Sequence, residues 1–169
     1  MAEVISSYRE SGQLLSTVYN INGKKHGTKT DYYENGLVWI ICNYIDDIKN
    51  GEYKMYYSNG QLWIHCYYVD DKYNGEYKYY NEEGYLEINS NYIDDKKNGE
   101  FKSYYDDQLC EIGYYVDNKL NGEYKLYYTN GQLKEISYYI NGKKEGEFKS
   151  YLKNGDLKEV SYYINGIKQ

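Results

Sequence analysis

Asn50–Tyr73 reads NGEYKMYYSNGQLWIHCYYVDDKY, and the next 24 residues, Asn74–Lys97, read NGEYKYYNEEGYLEINSNYIDDKK. A phrase that returns at a fixed period is the signature of a repeat architecture. The glycine that opens each copy falls at Gly27, Gly51, Gly75, Gly99, Gly122 and Gly146, with intervals of 24, 24, 24, 23 and 24. A second glycine follows nine residues later, at Gly36, Gly60, Gly84, Gly131 and Gly155, and only the 23-residue copy lacks it. Gly12 holds that place in an incomplete first unit, residues 1–23. No linker or change of composition interrupts the series, so residues 1–169 read as one continuous array with units beginning near 27, 51, 75, 99, 122 and 146.

Each unit carries two turn sites. One is Asn35-Gly36, Asn59-Gly60 and their equivalents; the other is Asn22-Gly23, Asp46-Asp47, Asp70-Asp71, Asp94-Asp95, Asp117-Asn118, Asn141-Gly142 and Asn165-Gly166. Asn-Gly is the strongest short hairpin signal, because a type I′ turn needs positive φ at both central residues, and Asp and Asn enter that region more readily than other side chains. Treating both sites as two-residue loops pairs Val69 with Lys72, Cys66 with Gly75 and Ile64 with Tyr77. The same assumption pairs Tyr57 with Leu62, Met55 with Ile64 and Gly51 with Tyr68. Tyr53, Met55, Tyr57, Leu62, Ile64, Cys66, Tyr68 and Tyr77 then share one, aromatic side. Glu52, Lys54, Tyr56, Trp63, His65, Tyr67, Lys78 and Tyr80 share the other, charged one. A one-residue slip would mix the sets.

These readings give an all-β fold: an elongated, single-layer antiparallel β-meander of tandem 24-residue, two-strand repeats. Two strands at about 4.8 Å each advance the array about 10 Å per unit, hence about 65–70 Å in all. No amphipathic helix supplies a second layer. The 28 tyrosines suit that need, since a ring packs across strands while its hydroxyl stays in water. The 23-residue unit has YYDDQLC where its neighbour has YYSNGQLW. Keeping both faces continuous there predicts a three-residue loop, Tyr105-Asp106-Asp107, or an equivalent bulge, with Leu109 on the aromatic side.

NGKKHG, GEYKMYYSNGQL and YYINGKKEGEFKSYLKNGDLKE resemble MORN-type repeats, in the variant seen in large DNA viruses and in bacterial antitoxins of the YwqK type. The likeness covers nearly the whole chain. It implies a scaffold, with antitoxin or immunity roles in the bacterial branch. Gly-to-Asp and Gly-to-Tyr departures from the eukaryotic pattern argue against lipid binding.

A net charge of −6, with Lys mostly alternating with Glu, argues against nucleic acid and anionic membranes as partners. No apolar run is long enough to span a membrane, and MAEVISSYRE lacks the build of a signal peptide, so the expected compartment is the cytoplasm, or the host cytoplasm or virion for a viral protein. The Asp pairs recur about 10 Å apart without the six to eight oxygens calcium gathers, so they read as turns, and no metal or cofactor is expected. Cys42 and Cys66 stand one unit apart, too far for a disulfide, and Cys110 lies further still; three free thiols fit a reducing compartment. His26 and His65 have no nucleophile at a suggestive spacing, and the carboxylates recur rather than forming one asymmetric constellation, so no catalytic residue is expected.

The charged side does differ along the chain: Trp39 with Ile41 and Trp63 with His65 in early units become Lys134 with Ile136 and Lys158 with Val160 later. Trp39, Ile41, Tyr56, Trp63, His65 and Tyr80 are therefore the candidate protein-interaction surface, with Trp63 expected to face Tyr56 and Lys78. The leading expectation is a non-enzymatic scaffold that binds a protein partner or itself as a homodimer. The alternative is a neutraliser that binds and blocks a toxin.

Overall fold

A computed structural model describes all 169 residues and contains only strands and turns. The chain forms two compact units, Met1–Tyr85 and Leu86–Gln169. The first contains β1 (Ala2–Tyr8), β2 (Leu14–Ile21), β3 (Lys24–Tyr32), β4 (Val38–Ile45), β5 (Ile48–Tyr56), β6 (Leu62–Val69) and β7 (Lys72–Tyr80). The second contains β8 (Leu86–Ile93), β9 (Lys96–Tyr105), β10 (Gln108–Val116), β11 (Lys119–Leu120), β12 (Gly122–Tyr127), β13 (Leu133–Ile140), β14 (Lys143–Lys144), β15 (Gly146–Tyr151), β16 (Leu157–Ile164) and β17 (Ile167–Lys168). Within each unit the strands follow an antiparallel meander, as the repeat pattern requires.

The two turn sites are built differently. At Asp70-Asp71 both residues have positive φ, 50° and 63°, and Val69 pairs with Lys72: the two-residue type I′ turn. At Asn59-Gly60 only the glycine is left-handed, with φ 87°. The Gly60 N–H donates to the Tyr57 carbonyl, and the Tyr57 N–H donates to that of Gln61, which makes a three-residue loop, Ser58-Asn59-Gly60. Tyr56, not Tyr57, therefore pairs with Leu62, and a bulge at Trp63 restores the expected Met55–Ile64 pair.

On the other side of β6 the pairing slips by two residues between Tyr68–Tyr73 and Cys66–Tyr77. Cys66 thus faces Tyr77 rather than Gly75, and Ile64 faces Tyr79 rather than Tyr77. The extra residues bow out around Gly75, whose φ of 105° only glycine adopts at low cost. A slip of two preserves parity, which is why the two faces were legible although the partners were not.

In the 23-residue unit, Asp106 and Asp107 form a two-residue turn, with φ 49° and 60°. Tyr105 pairs with Gln108 and Tyr104 with Leu109, then a bulge at Cys110 brings Ser103 opposite Glu111. The three-residue loop is absent and a bulge takes up the odd residue instead, as the alternative allowed, but it lies after Leu109, which is therefore on the side of Tyr104 and Lys102 and not on the expected aromatic side. Leu62, paired with Tyr56, lies there too. The bulge after this leucine recurs in regular units, so the missing residue has simply shortened the loop from three residues to two.

With one layer only, burial comes from neighbours on the same face. On the aromatic face small residues alternate with rings: Cys42, Tyr53, Cys66 and Tyr77 in the first unit, and Ser90 beside Phe101 and Ser137 beside Tyr124 in the second. Cys66 and Ser90 are each 1% exposed. A Cβ on Gly113 would stand 3.0 Å from both Leu120 and the Tyr124 ring, so a side chain there would push the ring away. Lysines complete the face: Lys49 lies 4.8 Å from the Tyr68 ring centre, Lys97 4.3 Å from Phe101 and Lys144 4.2 Å from Phe148.

Candidate functional site

The charged face is a ladder of short ion pairs two residues apart on one strand. Lys54 meets Glu52 at 2.8 Å, Lys78 meets Glu76 at 2.9 Å, Lys102 meets Glu100 at 2.7 Å, Lys125 meets Glu123 at 2.5 Å, and Lys149 meets Glu147 at 2.6 Å. Glu52 is held below the usual carboxylate range chiefly by its hydrogen bond to Lys54, with His65 adding to it. Between these rungs, the second unit exposes Tyr114, Tyr138 and Tyr162 at 49%, 50% and 53%, flanked by exposed Val116, Ile140 and Ile164. The pairs Glu100–Tyr114, Glu123–Tyr138 and Glu147–Tyr162 alternate carboxylate and ring across the strands.

Hollows open in equivalent places. One of about 430 Å³ is lined by residues that include Glu123, Ile136, Tyr138, Glu145, Glu147 and Lys149. Another, of about 220 Å³, uses Glu100, Ile112, Tyr114, Glu123, Lys125 and Tyr127, the same slots one repeat earlier. In the first unit a hollow of about 350 Å³ lies between Val4, Thr17, Tyr19, Thr28 and Thr30, without carboxylates. Further along that unit the corresponding space is occupied by hydrogen-bonded side chains. Asn43 donates to the Glu52 carbonyl at 2.9 Å and accepts from Thr28, while His65 contacts Glu52 at 2.9 Å and lies 5.2 Å from the Tyr67 ring.

The residues expected to form one surface are divided. Trp63 stacks on Tyr57 at 5.0 Å, and Trp39 lies 5.9 Å from Tyr33. Pleating turns Tyr57 away from Tyr56, so the expected Tyr56–Trp63–Lys78 contact does not form; His65, not Trp63, faces Lys78. Ile41 and His65 pair with Thr30 and Lys54 on the charged side, which also carries Tyr56 and Tyr80. The bulge moved the tryptophans, and Asn59 preceding Gly60 was the clue, since Asn-Gly closes loops of either length.

Turn side chains also tie one repeat to the next, a role the sequence reading missed. The hydroxyls of Tyr33, Tyr57 and Tyr128 donate to the carbonyls of Tyr56, Tyr80 and Tyr151 at 2.7–2.8 Å, and Arg9 reaches Tyr32 from the same slot. At the opposite edge, Asp47 and Asp71 accept from the backbone N–H of Lys25 and Lys49, while their own N–H groups donate back to those residues' carbonyls. Asn118 does the same with Lys97. These aspartates are structural acceptors. His26 lies 3.5 Å from Asp46. All three cysteines are free, with Cys42 and Cys66 buried.

In each unit an antiparallel meander of two-strand repeats, tied edge to edge, defines a β-repeat protein. The MORN repeat variant model matches residues 25–46, 49–70, 97–117, 120–141 and 144–165, well over half the chain, and the protein belongs to that family. No curated protein matches the sequence. Among solved structures, a chain described as "Crystal structure of GtfA/B complex bound to UDP and GlcNAc" is similar at 13% identity and a TM-score of 0.28. The match covers 68% of this chain and 24% of that one, so this chain spans about a quarter of that protein's length; the likeness carries no functional argument. No helix is long and apolar enough to cross a membrane.

Proposed function

We propose that the chain is a non-enzymatic, cytoplasmic scaffold that presents its charged face to a protein partner or to a second copy. The observation that carries this reading is the row of half-exposed rings, Tyr114, Tyr138 and Tyr162, bordered by exposed aliphatic side chains on an otherwise ion-paired surface. Exposed rings beside aliphatics are the usual energetic centre of interfaces. The net charge of −6 favours a second reading, neutralisation of a basic toxin. Light scattering and partner capture, each on the wild type and on Tyr138→Glu/Ile140→Glu, test the proposal. Self-association or capture of a defined protein, lost in the double variant, is expected; a monomer whose captures the variant leaves intact would overturn it. A one-to-one complex with a basic enzyme would favour the neutraliser.

A further inference from the structure

On the charged face of Leu86–Gln169, Lys102, Lys125 and Lys149 each hold the glutamate two residues away, which leaves these rungs no free charge for a small ion or a charged peptide. The charges are nevertheless sorted by sign. Glu100, Glu123 and Glu147 form one stripe and Lys102, Lys125 and Lys149 another, two residues further along each strand and so about 6.6–6.8 Å away. Their cross-strand partners are sorted as well. Tyr114, Tyr138 and Tyr162 stand opposite the glutamates, and Ile112, Ile136 and Val160 opposite the lysines. Three aliphatic residues follow one another in that slot only here, since earlier repeats place Ile41, His65 and Asn89 in it.

A stripe of acids and rings beside a stripe of bases and aliphatics matches an occupant that carries the same two stripes in reversed order. A second copy of the chain is such an occupant. A two-fold axis parallel to the stripes and midway between them turns it face to face with the first. Glu123 then meets Lys125 of the second copy, Lys125 meets Glu123 of the second copy, and Tyr138 lies over Ile136 of the second copy. A two-fold axis parallel to the strands would instead lay glutamate on glutamate, and like charges in contact select against that arrangement. Sheet twist turns two packed sheets about 30° from one another, so the match is closest at the central repeat, that of Glu123 and Tyr138. The area is sufficient. The long strands β8, β9, β10, β12, β13, β15 and β16, about 4.8 Å apart and about 20–30 Å long, make a face of about 700–1,000 Å². A stable interface takes about 800 Å² from each partner. Tyr138 and Val160, each 50% exposed, are apolar surface still to be covered.

We propose that the charged face of Leu86–Gln169 packs on the same face of a second copy in a two-fold dimer, glutamate stripe against lysine stripe. The inference rests on the scaffold reading and makes its partner this chain itself. Sedimentation equilibrium on the whole chain tests it, each variant being checked for native circular dichroism. The wild type should dimerise. Glu123→Lys and Lys125→Glu should each weaken the dimer at least tenfold, because each sets like charges face to face. An equimolar mixture of the two variants should form a heterodimer at least as readily as the wild type dimerises. The double variant Glu123→Lys/Lys125→Glu should recover the homodimer, since reversing both stripes at that repeat restores the match. Tyr138→Ala should weaken the dimer at least tenfold, and no change of charge should rescue it.

A dimer indifferent to both single charge reversals would overturn the proposed face. Loss in both single variants, without recovery in the mixture or the double variant, would overturn the two-fold register. A wild type that stays monomeric, while a protein partner is still captured through Tyr138 and Ile140, would overturn this inference alone; a monomer without such capture would remove the scaffold reading as well.

Discussion

Cys66 pairs with Tyr53 on one side and Tyr77 on the other, and burial pushes its thiol up to about 12. A thiol reagent at pH 8 should therefore label Cys110 in the native protein and leave Cys42 and Cys66 untouched; labelling of all three before unfolding would contradict the packing. The slot takes Ser in the second unit, so Cys66→Ser should cost less than Cys66→Leu, for which overpacking beneath the rings predicts a loss of about 1–3 kcal/mol in a urea melt. Burial also raises Tyr53 to about 12 and pushes Tyr44, Tyr68 and Tyr124 upward. An unfolded tyrosine gives up its proton near pH 10. Above that pH the unfolded chain holds fewer protons than the native one, so stability is full below about pH 10 and falls as the pH climbs toward 12. Absorbance at the phenolate band should show an early-titrating class and a late class that ionises together with loss of sheet; a single class near pH 10 with the sheet intact would refute it. The slot of small residues was visible in the sequence; the depth of burial was not, because it depends on rings from two neighbouring strands.

At the scale of the hairpin, parity was legible and loop length was not. Asp70-Asp71 announced its type I′ turn because both residues tolerate positive φ, whereas Asn59-Gly60 satisfies two loop geometries that differ by one residue. That single residue displaced Leu62 and Trp63 from their expected sides. The edge ties make a sharper prediction. Asp71 supplies a left-handed backbone, an N–H that donates to the Lys49 carbonyl and a carboxylate that accepts from the Lys49 N–H. Asp71→Gly keeps the first two and should cost about 1 kcal/mol, the net worth of one hydrogen bond. Asp71→Ala loses backbone compatibility as well, and should cost about 1–2 kcal/mol more. Equal melts for the two variants would show that conformation is irrelevant there. Tyr57→Phe should likewise lose about 1 kcal/mol through its bond to Tyr80 while keeping the stack on Trp63.

For the whole chain, the fold class and the repeat family could be read directly, since six copies and an incomplete first one leave little room for another architecture. The candidate surface could be read only in part: Ile41, Tyr56, His65 and Tyr80 lie together on the charged face, but the carboxylate-lined hollows belong to the later repeats, where Ile136 and Tyr138 replace the hydrogen-bonding side chains of earlier ones. Because Asp47 and Asp71 already accept backbone N–H groups, EDTA should leave the thermal melt unchanged, and a drop of several degrees would reveal a bound ion. The last long strand, β16, is covered by the tail only at Tyr162–Ile164, through Lys168, Ile167 and Gln169. The loop that shortens between Tyr105 and Gln108 has a consequence for how such a chain evolves. A strand array resembles a coding sequence read in frames of two, where losing one letter should scramble every later position. Here the deletion sits inside the punctuation, where the spacing between words can change without altering the words. The shortened loop at Asp106-Asp107 therefore leaves every later residue on the face its repeat slot assigns.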